Sequence, residues 1–416
     1  MKAKKDLVFG LQPEKGRWVF VGLGLVALLC MGTAYSWTIF RGPLREMYGL
    51  TATQSLLPFT VLLVMYALLM PVAGRWMERI GVRRTLLLGA GMVGVGYFLA
   101  GHFAAPWGLV VFYGGLVGAG IGVGYGVPLA VSARWFPDRK GLALGVTVVG
   151  FGLSPFFTAP LAKQLVLMFG VMRTFQILGL LFGVILAGIA LLMRFPEAHW
   201  HPAGVPGVDT GAAAALTDLP PVWKMRGFWP LWVTFMIGTF VGLSAIGISS
   251  AVAEQVAGIN PVKAAGFVSL FALFNGGGRP VFGWLTDRIG PAATAAMIFG
   301  MILLACGMMF FFGEGRVSVY VISFCLFWLC LGAWMALAPA ATARMFPAAG
   351  YPRYYGVVFT AYGAGALLGT LSAGTVRDLF GSYRFAFVPM AVLALAGVLV
   401  ALLGLRRPKP PATSRP

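Results

Sequence analysis

Apolar residues run along this chain in blocks too long for a soluble helix or strand. Blocks of about 18 residues or more, enough to cross a hydrocarbon core, fall at about 18–40, 54–74, 85–105, 107–133, 141–165, 172–193, 227–253, 264–283, 292–313, 317–343, 355–376 and 385–405. The pattern predicts twelve membrane-spanning helices joined mostly by short hinges, with both termini on one side. The first block reads as a span and not a cleaved leader, because Trp37, Thr38 and Phe40 run into Arg41 without a small-residue cleavage site. A repeat divides the pattern. Met70–Gly81 matches Arg279–Gly290 with each pair 209 residues apart, and Arg134-Trp135-Phe136-Pro137 matches Arg344-Met345-Phe346-Pro347 at 210. Two six-helix halves, 1–193 and 227–416, are therefore expected around a linker at 194–226 that is rich in Pro, Gly and Ala.

Composition agrees with a membrane protein. Of 416 residues 59% are hydrophobic and 10% charged, with a mean hydropathy of +0.87; soluble domains carry roughly 25% charge. That excludes a soluble enzyme, a disordered regulator and a disulfide scaffold. The net charge of +19 raises nucleic-acid binding, but the cations make no stripe. Instead 22 of the 31 Lys and Arg fall on the side of the termini and eight on the other. By the positive-inside rule the termini are cytoplasmic, which places the chain in the inner membrane. One cation is left over: Arg279, inside a span.

Little else could carry chemistry. Cys30, Cys306, Cys325 and Cys330 sit singly in apolar spans and read as buried small hydrophobes. His102 is at an outer helix end, and His199 and His201 flank Trp200 in the linker, too few for a metal site. None of the twelve acids falls mid-bilayer, so a buried carboxylate relay is absent. Glu254 and Asp378, at outer helix ends, remain as candidates for receiving a proton. Gly118-x-Gly-x-Gly-x-Gly124 lies inside a helix, where small residues allow close packing. No catalytic set, cofactor loop or metal cluster is present, so the chain is not expected to be an enzyme.

Arg279 needs a reason. A charge at the centre of a spanning helix costs about 2.5–3.5 kcal/mol on the insertion scale. Its counterpart in the first half is Met70, and that of Asn275 is Tyr66, so the second half alone carries a polar pair, spaced i, i+4 on one helix face. Gly276, Gly277, Gly278 and Pro280 weaken the helix there, as at many transporter sites. The guanidinium either snorkels to the cytoplasmic edge or offers its fork to one carboxylate.

The run Gly74-x-x-x-Glu78-Arg79-x-Gly81-x-Arg83-Arg84, with its second copy around Asp287 and Arg288, resembles the signature between helices two and three of the major facilitator superfamily. The resemblance spans the chain and implies that family's all-α fold of two six-helix bundles. In it Gly74, Glu78, Arg79, Gly81, Arg84, Asp287 and Arg288 form cytoplasmic latches that affect gating and do not touch substrate. Trp135-Phe136-Pro137-Asp138-Arg139-Lys140-Gly141-Leu142-Ala143-Leu144-Gly145, continuing through Gly150 and Gly152, is similar to the start of helix five in monocarboxylate transporters. Tyr35-Ser36-Trp37 resembles the bacterial oxalate–formate exchanger branch.

The monocarboxylate resemblance implies an Asp-x-x-x-Arg pair in helix eight, with the Arg binding the anion and the Asp handling the proton. Arg279 matches the Arg, but Asn275 replaces the Asp, and the family's helix-one Lys is missing between Tyr35 and Phe40. Where the oxalate branch wants a second cation in helix eleven, this chain has Tyr362. One buried cation suits one carboxylate, since a dianion would leave a buried charge unpaired. The same resemblance lines the cavity with Tyr35, Tyr125, Leu144, Phe359 and Tyr362. The expected activity is secondary transport of short monocarboxylates such as L-lactate or pyruvate, by alternating access and with a proton. The expected partners are the acid, a proton and the bilayer, with no cofactor and no nucleic acid, and the working unit is a monomer. An oxalate or formate exchanger is the alternative, and a non-transporting receptor or scaffold a remote one.

Overall fold

The computed structural model describes residues 7–103, 105–197, 220–347 and 351–405, at residues 78, 140, 141, 262, 351 and 352 by backbone alone. Ten stretches are long and apolar enough to span a membrane. One of these, Leu142–Leu192, contains two helices that meet at Gly170, where φ is 77°. Pro261–Ile289 is a further long helix, less hydropathic because of Asn275, Gly276 to Gly278 and Arg279. Twelve helices result among the described residues: α1 Pro13–Tyr48, α2 52–80, α3 82–102, α4 Pro106–Trp135, α5 140–169, α6 171–192, α7 Phe228–Gln255, α8 Pro261–Ile289, α9 Pro291–Phe312, α10 Val317–Met345, α11 Arg353–Phe380 and α12 Tyr383–Gly404. An even number of spans returns the end of α12 to the face where α1 begins. This is called the termini face below, and the opposite one the distal face.

The sequence repeat is visible in the backbone. Gly49 and Gly258, Gly81 and Gly290, and Gly170 and Gly381 all have positive φ, and the members of these pairs lie 209, 209 and 211 residues apart. Gly81 (φ 82°) and Gly290 (φ 86°) reverse the chain between α2 and α3 and between α8 and α9. A side chain there would strain the backbone. The glycine run in α4 lets its neighbours approach: a Cβ on Gly118 would meet the Leu62 carbonyl of α2 at 2.5 Å, and one on Gly120 the Gly89 carbonyl of α3 at 2.9 Å.

Two helices break where the halves meet. In α1 the helix tightens to a 3₁₀ turn over Thr33–Ser36, which carries Tyr35; such mid-helix turns often sit at functional positions. In α11 the helix is interrupted at Phe359. α2 packs on α11 and α5 on α8 as the two long seams between halves. Hydrogen bonds join the halves from Arg279 to the distal face: Thr60 with Thr370, Tyr35 with Tyr362, Arg41 with Tyr383, and the Ser250 amide to the Thr38 hydroxyl. The halves are thus in direct contact on the distal side of Arg279.

Arg41 stays on the distal side, where the charge count puts it, but not in solvent. It is not a loop cation: α1 continues to Tyr48, and Arg41 is buried, donating to the Ser55 hydroxyl at 2.7 Å, the Ala52 carbonyl at 3.1 Å and the Tyr383 hydroxyl. The apolar run ends before it, but protein and not water surrounds it. Most of the expected linker, residues 198–219 with His199 and His201, lies outside the described residues. Its ends are anchored: Trp135 Nε1 donates to the Arg194 carbonyl at 2.9 Å, and Val222 is buried.

Candidate functional site

Arg279 and Asn275 sit one turn apart on α8, 4% and 0% exposed, against α5 of the other half. Arg279 does not snorkel. Its Nη1 donates to the Val148 carbonyl of α5 at 2.8 Å and its Nη2 to Asn275 Oδ1 at 3.3 Å. Nε, also buried, has no hydrogen-bond partner in the protein. Asn275 is fixed in turn, its Nδ2 donating to the Trp328 carbonyl of α10 at 3.0 Å. Gly152 makes room for the pair, because a Cβ there would stand 2.5 Å from Asn275 Oδ1 and 2.9 Å from Arg279 Nε.

Rings from both halves close over this charge. The Tyr35 and Tyr362 hydroxyls are 2.9 Å apart. Tyr362 stacks on Phe359, centroids 5.0 Å apart. Tyr125 packs edge-on against Phe151 at 5.4 Å, and Phe151 edge-on against Tyr35 at 5.0 Å. The ring of Tyr66 lies 5.2–5.8 Å from those of Tyr125, Phe359, Tyr362 and Phe151, with its buried hydroxyl unpartnered. Of the expected lining, then, Tyr35, Tyr125, Phe359 and Tyr362 come together. Leu144 is half-buried, one turn from Val148 on the same face of α5. Tyr66, Phe151, Trp328, Gly152 and the Val148 carbonyl join them without having been expected as lining. Tyr66 had one signal, its alignment with Asn275 in the repeat; Phe151 and Trp328 look like any core aromatic in sequence.

The other sequence candidates lie elsewhere. Arg79, Arg84, Asp287 and Arg288 are exposed on the termini face, Gly74 has open space beside it, and Gly81 makes the turn. Arg288 lies over the Trp284 ring at 4.4 Å, and the carbonyl of Asp287 accepts from Arg344 at 3.1 Å. The side chain of Glu78 is outside the described residues. Glu254 lines a distal cleft of about 250 Å³ with Thr38, Glu46, Lys163 and Ser250. Asp378 accepts from the Ala52 and Thr53 amides, both at 2.9 Å, and from the Thr53 hydroxyl at 2.6 Å. Neither acid bonds to Arg279 or Asn275.

A cation and an amide thus lie buried at the seam of two pseudo-symmetric six-helix bundles. Residues 22–337 match the family model described as Major Facilitator Superfamily. The chain belongs to that superfamily. It is 28% identical over 389 residues to the oxalate:formate antiporter of Oxalobacter formigenes, covering 92% of this chain and 90% of that protein. It is 25% identical over 338 residues to monocarboxylate transporter 13 of Rattus norvegicus, covering 80% and 76%. Among solved structures, a bacterial homolog of the human lysosomal transporter Spinster superposes with a TM-score of 0.69 at 15% identity, over 93% of this chain and 96% of that one. The fold and the relatives of this superfamily protein are those of membrane transporters and not of enzymes.

Proposed function

We propose that this protein carries short monocarboxylic acids, of the size of lactate or pyruvate, across the inner membrane by alternating access. The observation that supports it is the buried Arg279, whose Nε is unpartnered beneath a cluster of hydroxyl-bearing and apolar rings. The guanidinium takes the carboxylate, Asn275 and the Tyr35, Tyr66 and Tyr362 hydroxyls orient its polar end, and Phe151 and Phe359 pack against its alkyl end. The proton travels with the acid, so the step is electroneutral. Of the two candidates at the distal face Glu254, which lines the cleft there, receives it first. Asp378 stays ionised, because its carboxylate accepts from the Ala52 and Thr53 donors. Arginine and lysine crowd the termini face, which is therefore the cytoplasmic one. A single chain is the working unit.

The second reading is exchange of oxalate or formate, favoured by the likeness to the oxalate:formate antiporter. Tyr362 weighs against a dianion, because it places a hydroxyl, 2.9 Å from that of Tyr35, where a second cation would be wanted. Uptake of labelled short acids into proteoliposomes separates the two. Lactate or pyruvate uptake should follow an acid-outside gradient, whereas counterflow of oxalate indifferent to pH would favour exchange. Arg279→Met should lower monocarboxylate uptake by at least about 100-fold, as two charge-assisted hydrogen bonds are lost. A methionine variant that transports like the parent would sink the anchoring role.

A further inference from the structure

Arg279 belongs to one half and the Val148 carbonyl to the other, so their 2.8 Å hydrogen bond crosses the seam that opens and closes during transport. Two protein oxygens, from Val148 and Asn275, accept from two of the three guanidinium nitrogens. That arrangement places oxygen acceptors where a carboxylate would place its own. It depends on one glycine: on any residue larger than Gly152, Cβ would stand 2.5 Å from Asn275 Oδ1, 2.9 Å from Arg279 Nε and 3.1 Å from Arg279 Nη2. At the neighbouring seam position Gly276, by contrast, a Cβ would make only ordinary contacts with Leu153 at 3.5–3.7 Å.

A carrier closes only over a compensated charge. A buried guanidinium stripped of acceptors is strongly unfavourable, so a carrier whose site cation had no protein acceptors would close only with its anion bound and would be restricted to exchange. We propose that Gly152 is a positioning residue that seats Arg279 on the Val148 carbonyl, and that this seat lets the carrier close and return without an anion. Net flux, and not obligatory exchange, is the consequence. The carboxylate competes with Val148 for Nη1 and gains Nε, so binding loosens the seam that the free guanidinium tightens.

The proposal rests on the carboxylate reading of Arg279 but is tested separately from it. Proteoliposomes preloaded with labelled lactate are diluted into buffer without lactate, which reads net efflux, or with unlabelled lactate, which reads exchange. The wild-type protein should show net efflux. Gly152→Ala should lower net efflux about tenfold relative to exchange, the factor that ~1.4 kcal/mol gives, while Gly276→Ala leaves the ratio unchanged. Asn275→Ala, which removes the other acceptor, should shift the ratio in the same direction and serves if the Gly152 variant does not insert. Strict exchange by the wild type overturns the proposal, and so does an equal loss of both fluxes in the Gly152 and Asn275 variants. Exchange of lactate that persists in those cases leaves the carboxylate reading standing. Exchange that survives in Arg279→Met overturns that reading itself.

Discussion

Arg17 grips Asp138 with both arms of its fork, Nη1 to Oδ1 at 2.5 Å and Nη2 to Oδ2 at 2.8 Å, and also donates to the Trp135 carbonyl at 3.2 Å. The guanidinium beside Asp138 holds its carboxyl below the usual carboxylate range. A carboxyl depressed in the folded state contributes stability above its unfolded pKa, near 3.9, and loses it as pH falls through the lower folded value. Asp138→Asn should therefore cost about 1.5–3 kcal/mol near neutral pH, read as a lower unfolding temperature in detergent. The difference from wild type should shrink as pH drops below about 4; a gap that stays constant there would show that the pair does not titrate with folding. This pair joins residues 121 apart in the chain, and no local pattern announces it. Arg279 and Asn275 were legible for the opposite reason: a charge inside an apolar run stands out against its own neighbours. Arg41, at the edge of a run, could not be sorted the same way, because hydropathy does not tell a loop from a buried helix end.

The helices themselves were legible, and so were their turns, since a repeat that keeps glycine at Gly81 and Gly290 marks a backbone conformation that tolerates little else. What a helix end does with its unpaired groups was not. The start of α2 is capped twice: Thr51 Oγ1 accepts from the Gln54 amide at 3.2 Å while Gln54 Oε1 accepts from the Thr51 amide at 3.0 Å. Asp378, from α11 of the other half, then takes the next two amides. A carboxylate at a helix N-terminus is worth about 0.3–1 kcal/mol from the helix dipole, and here that energy also holds the halves together. Asp378→Asn keeps one acceptor oxygen and removes the charge. It should raise the rate at which an impermeant maleimide labels a cysteine at buried Thr370 by about two- to fivefold. An unchanged rate would mean that the cap serves α2 alone.

At the scale of the molecule, two bundles of like architecture carry unlike centres. The first half contributes Tyr66 where the second contributes Asn275, so the rings come from both halves and the cation from the second alone. Those rings were legible only in part, because a buried tyrosine in a core and one in a cavity have the same sequence signature. Transport by rocking requires the distal face to part along the α2–α11 seam, where Thr60 and Thr370 meet hydroxyl to hydroxyl. Side chains in such contact bring their Cβ atoms within reach of a disulfide. The four native cysteines are free and buried, so a double Thr60→Cys, Thr370→Cys variant should cross-link selectively on mild oxidation. Uptake should then stop and return on reduction, with neither single variant responding. Continued uptake by the cross-linked protein would mean that the seam stays shut throughout the cycle. The substrate would then have to pass by the α1–α5–α7–α8 side, where Lys163 and Glu254 line a distal cleft.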